Sequence, residues 1–186
     1  MPEYDEISKS AITGYIHFLK RIVSRKEHVA MSIDQVRAHL KKWHRENDIL
    51  EFDVSSATVE LAARALGVEP ARIAKTLAIK NGESALLVVA AGDARVDNKK
   101  FKAEFGFKPK MLTPEETLQL TGHAVGGVCP FGLKNNIPVY LDVSLRRFTT
   151  IFPACGSSNS AIELTCAELD EYSQNQKWVD VCRDWQ

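Results

Sequence analysis

Two apolar runs, Thr76–Lys80 and Ala85–Ala91, stand almost back to back in the middle of the chain, joined by Asn81-Gly82. Asn-Gly between two strand-like runs signals a hairpin, because both residues tolerate the positive φ angles of a tight antiparallel turn. A sheet built on that hairpin is therefore expected at the centre of the fold. Around it the pattern alternates between helical and extended. Ser32 is an N-cap candidate for a helix to about Glu46, with Val36, Leu40 and Trp43 on one face. Ser56 is expected to cap a helix over Ala57–Leu66 that closes at Gly67, and Pro70 to begin a helical turn leading to Lys75. A short helix over Asn98–Phe105 should end at Gly106, and Thr113-Pro114-Glu115-Glu116 should open another over Pro114–Leu120. Ile49–Val54, Val139–Asp142, Thr149–Phe152 and Ser160–Leu164 read as strands, and Thr165–Tyr172 as a last helix. Trp178–Cys182 is an edge strand or a frayed tail. Helices and strands are mixed with few full βαβ units, which argues a single α/β (mixed α+β) domain with a partly closed sheet.

Residues 5–27 carry Ile12, Tyr15, Ile16, Leu19, Ile22 and Val23 at helical spacing with Lys and Arg between them. Met31 is followed at once by the Ser32 cap, so residues 1–30 read as a helical extension preceding one core domain. Glu3, Asp5 and Glu6 occupy the place of a positive n-region and no apolar h-region follows, so no secretory signal is expected. No apolar run reaches the length of a membrane span. The four cysteines, Cys129, Cys155, Cys166 and Cys182, form no CxxC pair and have no accompanying His-x₃₋₅-His, so no zinc or other metal site is expected. They read as reduced thiols of a cytoplasmic protein. Net charge is +0, so a nucleic-acid partner would have to be held by a local basic patch.

Such a patch is offered by Lys99, Lys100, Lys102, Lys108 and Lys110, with Arg146 and Arg147 further on. Phe101, Phe105 and Phe107 lie among these lysines and read as core-facing. The segment Gly126-Gly127-Val128-Cys129-Pro130-Phe131-Gly132 packs three glycines and a proline into seven residues. It is either a tight turn or a loop that offers backbone N–H and C=O groups to a small polar ligand. Lys75 stands at the mouth of the first apolar run, where it either holds an anion or polarises a carbonyl, or snorkels from a strand edge. Cys129 with His123 could form a thiol–imidazole pair, although no third residue to orient it is apparent. Cys155, before Gly156-Ser157-Ser158-Asn159-Ser160, lies in a second small-residue loop that either lines a pocket or makes a wide turn.

Taken together, four segments resemble the YbaK/EbsC family, trans-editing relatives of the insertion domain of bacterial prolyl-tRNA synthetase. They are Ala71-Arg72-Ile73-Ala74-Lys75-Thr76-Leu77, the loop Gly126–Gly132, Pro138-Val139-Tyr140-Leu141-Asp142, and Phe152-Pro153-Ala154-Cys155-Gly156 followed by Ile162-Glu163-Leu164. The resemblance covers about residues 33–172 and implies a mixed sheet curled into a partial barrel with helices around it. It implies an aminoacyl-tRNA editing domain over residues 31–186 that hydrolyses the ester of a mischarged tRNA without metal or cofactor. Lys75 matches the family's invariant lysine, and Gly126 through Pro130 its GxxxP loop. The implied site is Lys75 as catalytic residue, with Thr76, Gly126, Gly127, Val128, Cys129, Pro130, Asp142, Cys155 and Gly156 on the substrate. Lys99, Lys100, Lys102, Arg146 and Arg147 are assigned to the tRNA. The acceptor end of a mischarged tRNA, charged with a small amino acid and of the tRNA(Pro) type, is the implied substrate, with a synthetase as a further possible partner and no membrane. In Cys-specific members the loop matching 155–161 is rich in arginine and glycine. Here it reads Cys155-Gly156-Ser157-Ser158-Asn159-Ser160-Ala161, which counts against Cys-tRNA. The alternative is a module that binds aminoacyl-tRNA or a synthetase without cleaving anything.

Overall fold

The computed structural model describes residues 32–185. The amphipathic pattern over residues 5–27 lies outside them. The central hairpin forms as β2 (Ile73–Asn81) and β3 (Ser84–Ala91), antiparallel and in register from Ala74↔Ala91 to Asn81↔Ser84. The turn falls one residue later than expected: Asn81 pairs with Ser84, and Gly82, at φ 61°, takes the first central position. Residues 85–91 are all buried, so β3 is covered on both faces and is the middle strand of the sheet.

The main sheet runs β6-β2-β3-β5-β8, with β5 at Val139–Asp142, β6 at Phe152–Pro153 and β8 at Lys177–Val179. Only the hairpin is antiparallel; the β2–β6, β3–β5 and β5–β8 ladders are parallel. The sheet curls into a half-barrel. Two small ladders flank it: β1 (Leu50–Glu51) with β7 (Ser160–Ala161), and β4 (Arg95–Val96) with β9 (Cys182–Arg183). The tail is therefore shared between an edge strand of the main sheet and a separate pair.

Five α-helices surround the sheet among the described residues: α1 over 32–40, α2 (Val59–Leu66), α3 (Asn98–Phe105), α4 (Pro114–Thr121) and α5 (Cys166–Tyr172). Thr113 and Thr165 each complete a capping box, with Glu116 and Glu168 reaching back to the cap backbone. Asp97 caps α3, and Gly67, Gly106 and Gly122 end α2, α3 and α4 in left-handed conformations.

Three local expectations are corrected. Thr58, not Ser56, caps α2; Ser56 instead gives its N–H to the Ser158 carbonyl at 2.6 Å. The first helix stops at residue 40 and passes into a 3₁₀ turn, Lys41–Trp43, ended by His44 at φ 58°. The strand expected over Ile49–Val54 is reduced to Leu50–Glu51, because the backbone of Phe52 is taken by Asn159: its N–H meets the Asn159 carbonyl and its carbonyl accepts from Nδ2, both at 2.8 Å.

Phe101 is fully buried and touches Phe105, whose ring lies 4.9 Å from that of Tyr140 on β5. This aromatic cluster anchors α3 on the sheet and leaves Lys99, Lys100 and Lys102 outside. No helix among the described residues is long and apolar enough to cross a membrane.

Candidate active site

A cavity of about 400 Å³ opens between β2, the start of α2, α4 and the glycine-rich loop. Its volume lies in the range of small-ligand sites. Lys75 and Thr76 of β2 line it, with Gly126 and Val128 of the loop and Ser160 and Ala161 of β7. Met111 and Val125 line it too while remaining 51% and 60% exposed, which makes the rim apolar. The walls carry few polar groups, and most of these are engaged within the protein. Thr117 donates to the Thr113 carbonyl, Thr58 Oγ1 accepts from the Leu61 N–H, and Ser160 Oγ lies 2.8 Å from Ser157 Oγ. Thr76 Oγ1 is buried without a hydrogen-bond partner among the described residues.

Lys75 is not a loose surface lysine. Its Nζ donates to the Gly92 carbonyl at 2.9 Å and to the Ala94 carbonyl. Among the described residues no carboxylate forms a salt bridge with it, and burial holds its ammonium below the usual lysine value. An ammonium has three N–H donors, and two are committed to these carbonyls, so one is left for a ligand.

The glycine-rich loop owes its shape to a second loop. Gly127 gives its carbonyl to the Gly156 N–H at 3.1 Å, and the two backbones lie so close that a β-carbon on Gly127 would stand 2.7 Å from the Gly156 carbonyl carbon. Gly126 takes φ 94°, a conformation disfavoured for residues with a side chain, and turns the chain into the cavity wall. The substrate set expected from the sequence thus divides. Lys75, Thr76, Gly126 and Val128 line the cavity; Gly127, Cys129, Pro130, Cys155 and Gly156 are buried and do not line it. Cys129, which the resemblance places on the substrate, is fully enclosed behind the cavity wall.

The Cys129–His123 pairing also takes a different form from a nucleophile and its base. His123 is buried and its Nε2 lies 2.8 Å from the Phe131 carbonyl, which can only accept, so Nε2 carries the hydrogen. Nδ1 then accepts from Ser32 Oγ at 2.5 Å. Cys129 Sγ, 3.6 Å from Nε2, meets no basic lone pair. Burial pushes the thiol up to about 12 and His123 below its usual value. Ser32, His123 and Phe131 form a clip that ties α1 to the glycine-rich loop.

Asp142 lies away from the cavity. Its carboxylate accepts from the Ser144 N–H at 3.0 Å and the Val181 N–H at 2.9 Å, deep in the core.

Residues 53–172 match the aminoacyl-tRNA editing domain family. The chain belongs to that family. Among its relatives is "Uncharacterized protein YwhH" of Bacillus subtilis, 59% identical over 157 residues that cover 84% of this chain and 100% of the relative. "Putative Cys-tRNA(Pro)/Cys-tRNA(Cys) deacylase EbsC" of Enterococcus faecalis is 27% identical across 78% of this chain and 87% of its own length. A crystal structure described as that of "a putative trans-editing enzyme for prolyl tRNA synthetase" superposes with a TM-score of 0.74 and 30% identity, covering 82% of this chain and 97% of that one.

The basic residues of this editing domain differ in how they are engaged. Lys99 and Lys102 are exposed on α3, and Lys100 pairs with Asp180 at 2.7 Å. Arg146 lies with its guanidinium 4.1 Å from the Trp178 ring centroid. Arg147 is drawn inward: it forms a two-pronged ion pair with Asp93, at 2.6 and 3.0 Å. Sequence reasoning overlooked Gly92, Asp93 and Ala94, whose Ala91-Gly92-Asp93-Ala94 run after an apolar strand was the available turn signal.

Proposed function

We propose that this protein is a trans-editing hydrolase that removes a small amino acid from mischarged tRNA of the tRNA(Pro) type, with residues 31–186 as the editing domain and residues 1–30 as an N-terminal extension. The observation that carries the reading is Lys75, immobilised by two carbonyls at the wall of a small, mostly apolar cavity that Gly126 and Val128 of the glycine-rich loop also line. The family of the chain, and the names of its relatives, support the substrate class.

An aminoacyl ester is already activated. Water adds to the carbonyl carbon, the C–O bond to the ribose breaks, and the ribose oxygen takes up a proton. The site has to place the ester and stabilise the oxyanion that forms on the way. The free N–H of Lys75 suits the second task, and such a donor contributes roughly 3–4 kcal/mol. The backbone of Gly126 and Val128, which line the cavity, suits the first. Lys99, Lys100, Lys102 and Arg146 are the proposed contacts to the tRNA backbone. A thiol nucleophile is disfavoured because Cys129 is enclosed, protonated and without a base.

The small cavity and apolar walls suit a sieve for small residues. A synthetase pocket rejects a residue one methylene smaller by only about 1–3 kcal/mol, so a second site that admits only the smaller residue is needed. The test is a deacylation panel of Ala, Ser, Thr and Cys on several tRNAs, with Lys75→Ala as the control. Hydrolysis of a small mischarged residue, abolished in Lys75→Ala, is expected. Tight tRNA binding with no hydrolysis of any member would replace the reading with that of a binding module, and full activity of Lys75→Ala would remove the lysine from the mechanism.

A further inference from the structure

Two residues that the sequence places on ligands, Arg147 and Asp142, occupy a different position in the fold. They hold the turn that holds Lys75. The turn is Ala91-Gly92-Asp93-Ala94, closed by the Ala94 N–H on the Ala91 carbonyl at 3.1 Å. Its carbonyls at Gly92 and Ala94 accept both internal hydrogen bonds of the Lys75 ammonium, so the direction of the third N–H depends on where this turn sits.

One flank of the turn is closed by contact. The Gly92 N–H donates to the Ala71 carbonyl, and a β-carbon on Gly92 would stand 2.0 Å from the Pro70 carbonyl oxygen and 2.7 Å from Val59 Cγ1. The other flank is gripped by the 3₁₀ segment Val143–Arg147. At one end of the turn the Ala91 N–H donates to Ser144 Oγ at 3.1 Å. At its tip Asp93, between the two carbonyls that clamp Lys75, takes the Arg147 guanidinium on both oxygens. Arg147 is fixed in turn: its Nε donates to the Ser144 carbonyl at 3.0 Å, and the guanidinium lies 4.8 Å from the Phe148 ring centroid and 5.2 Å from that of Trp185. Asp142 anchors the base of the segment through the Ser144 and Val181 N–H groups.

We infer that the Arg147–Asp93 pair is a positioning device for Lys75, which sets the direction of the lysine's free N–H through the carbonyls of Gly92 and Ala94, and is not a tRNA contact. A two-pronged guanidinium–carboxylate pair fixes orientation as well as distance, which a lysine in its place cannot do. The Arg147 side chain is only 17% exposed. The inference rests on the reading of Lys75 as the catalytic residue, and the experiment separates the two.

Arg147→Met, Arg147→Lys and Asp93→Asn are compared with Lys75→Ala and the parent protein, on the mischarged tRNA(Pro) that the panel shows is turned over fastest. Three quantities are read: kcat and KM, the Kd for uncharged tRNA(Pro), and the rate at which acetic anhydride labels Lys75, followed by mass spectrometry across pH. The labelling does not depend on activity. Arg147→Met and Asp93→Asn are expected to lower kcat about ten- to a hundredfold, the scale of a misplaced catalytic group, with KM and Kd within about twofold. The labelling of Lys75 is expected to accelerate in both and its pH midpoint to move, and Arg147→Lys to recover only part of kcat. A weaker Kd with kcat retained would assign Arg147 to the tRNA and overturn the inference. So would unchanged Lys75 labelling in folded Arg147→Met and Asp93→Asn proteins. If Lys75→Ala keeps full activity, the reading of the site fails instead, while faster labelling in the Arg147 and Asp93 variants would still report the clamp.

Discussion

Replacing Gly127 by alanine tests how the candidate site is assembled, because it adds one methyl group where two loops touch. The added carbon would lie 2.7 Å from the Gly156 carbonyl carbon and from Cα and the carbonyl carbon of Ser157. All three are backbone atoms, so no side chain can swing aside. Ordinary carbon–carbon contact lies at about 3.5–4.0 Å, so the loops must part by roughly 1 Å. Overpacking of this kind costs about 1–3 kcal/mol. The same movement stretches the 3.1 Å bond from the Gly156 N–H to the Gly127 carbonyl, adding about 1 kcal/mol. A total of roughly 2–4 kcal/mol corresponds to a fall of about 5–15 °C in Tm for a protein of this size. Thermal melts and urea titrations measure the stability, and deacylation the effect on the neighbouring Gly126, which lines the cavity. The comparison is Gly67→Ala. Gly67 has φ 68° but nothing within 4 Å of its hypothetical β-carbon, so its cost is conformational only, about 1–2 kcal/mol. If Gly127→Ala melts with the parent protein, or Gly67→Ala proves the more destabilising, the contact argument is wrong.

Cys129→Ser is expected to keep appreciable deacylase activity, and the parent protein to resist iodoacetamide, since the enclosed thiol sits at about 12 and the thiolate is what reacts; rapid inactivation by alkylation at Cys129 would reinstate the thiol. The buried, neutral His123 makes stability fall in acid. Its value in the folded protein lies below the unfolded 6.5, so the unfolded chain binds the proton first, and stability present above pH 6.5 is lost as pH drops towards the lowered folded value. Melts from pH 7.5 to 5 should show that slope in the parent protein and a shallower one in His123→Asn; equal slopes would exclude His123 as the source.

What could be read directly from the sequence is the local chemistry. The capped helix start at Thr113, the glycines that end α2 and α3, the 3₁₀ turn that begins at Pro70 and the central hairpin follow from residues within a few positions of one another. Their energetics are short-ranged, so the signal lies within a window of the chain. The half-barrel and the family were legible too, because the motif segments keep their order and spacing. Thr58 displaced Ser56 as a cap because a distant carbonyl, that of Ser158, claimed the Ser56 backbone.

Tertiary structure alone decided which candidates reach the cavity. Cys129 and Val128 are neighbours in sequence, yet one is enclosed behind the wall and the other lines it, since consecutive side chains leave a chain in different directions and packing selects the face. Arg147 reads as one more surface cation until Asp93, 54 residues upstream, folds against it. Asp142 likewise ends a strand motif, and only the arrival of Ser144 and Val181 shows that both its oxygens are committed to the core. A charge finds its partner through the folded geometry, and neither periodicity nor composition records that distance.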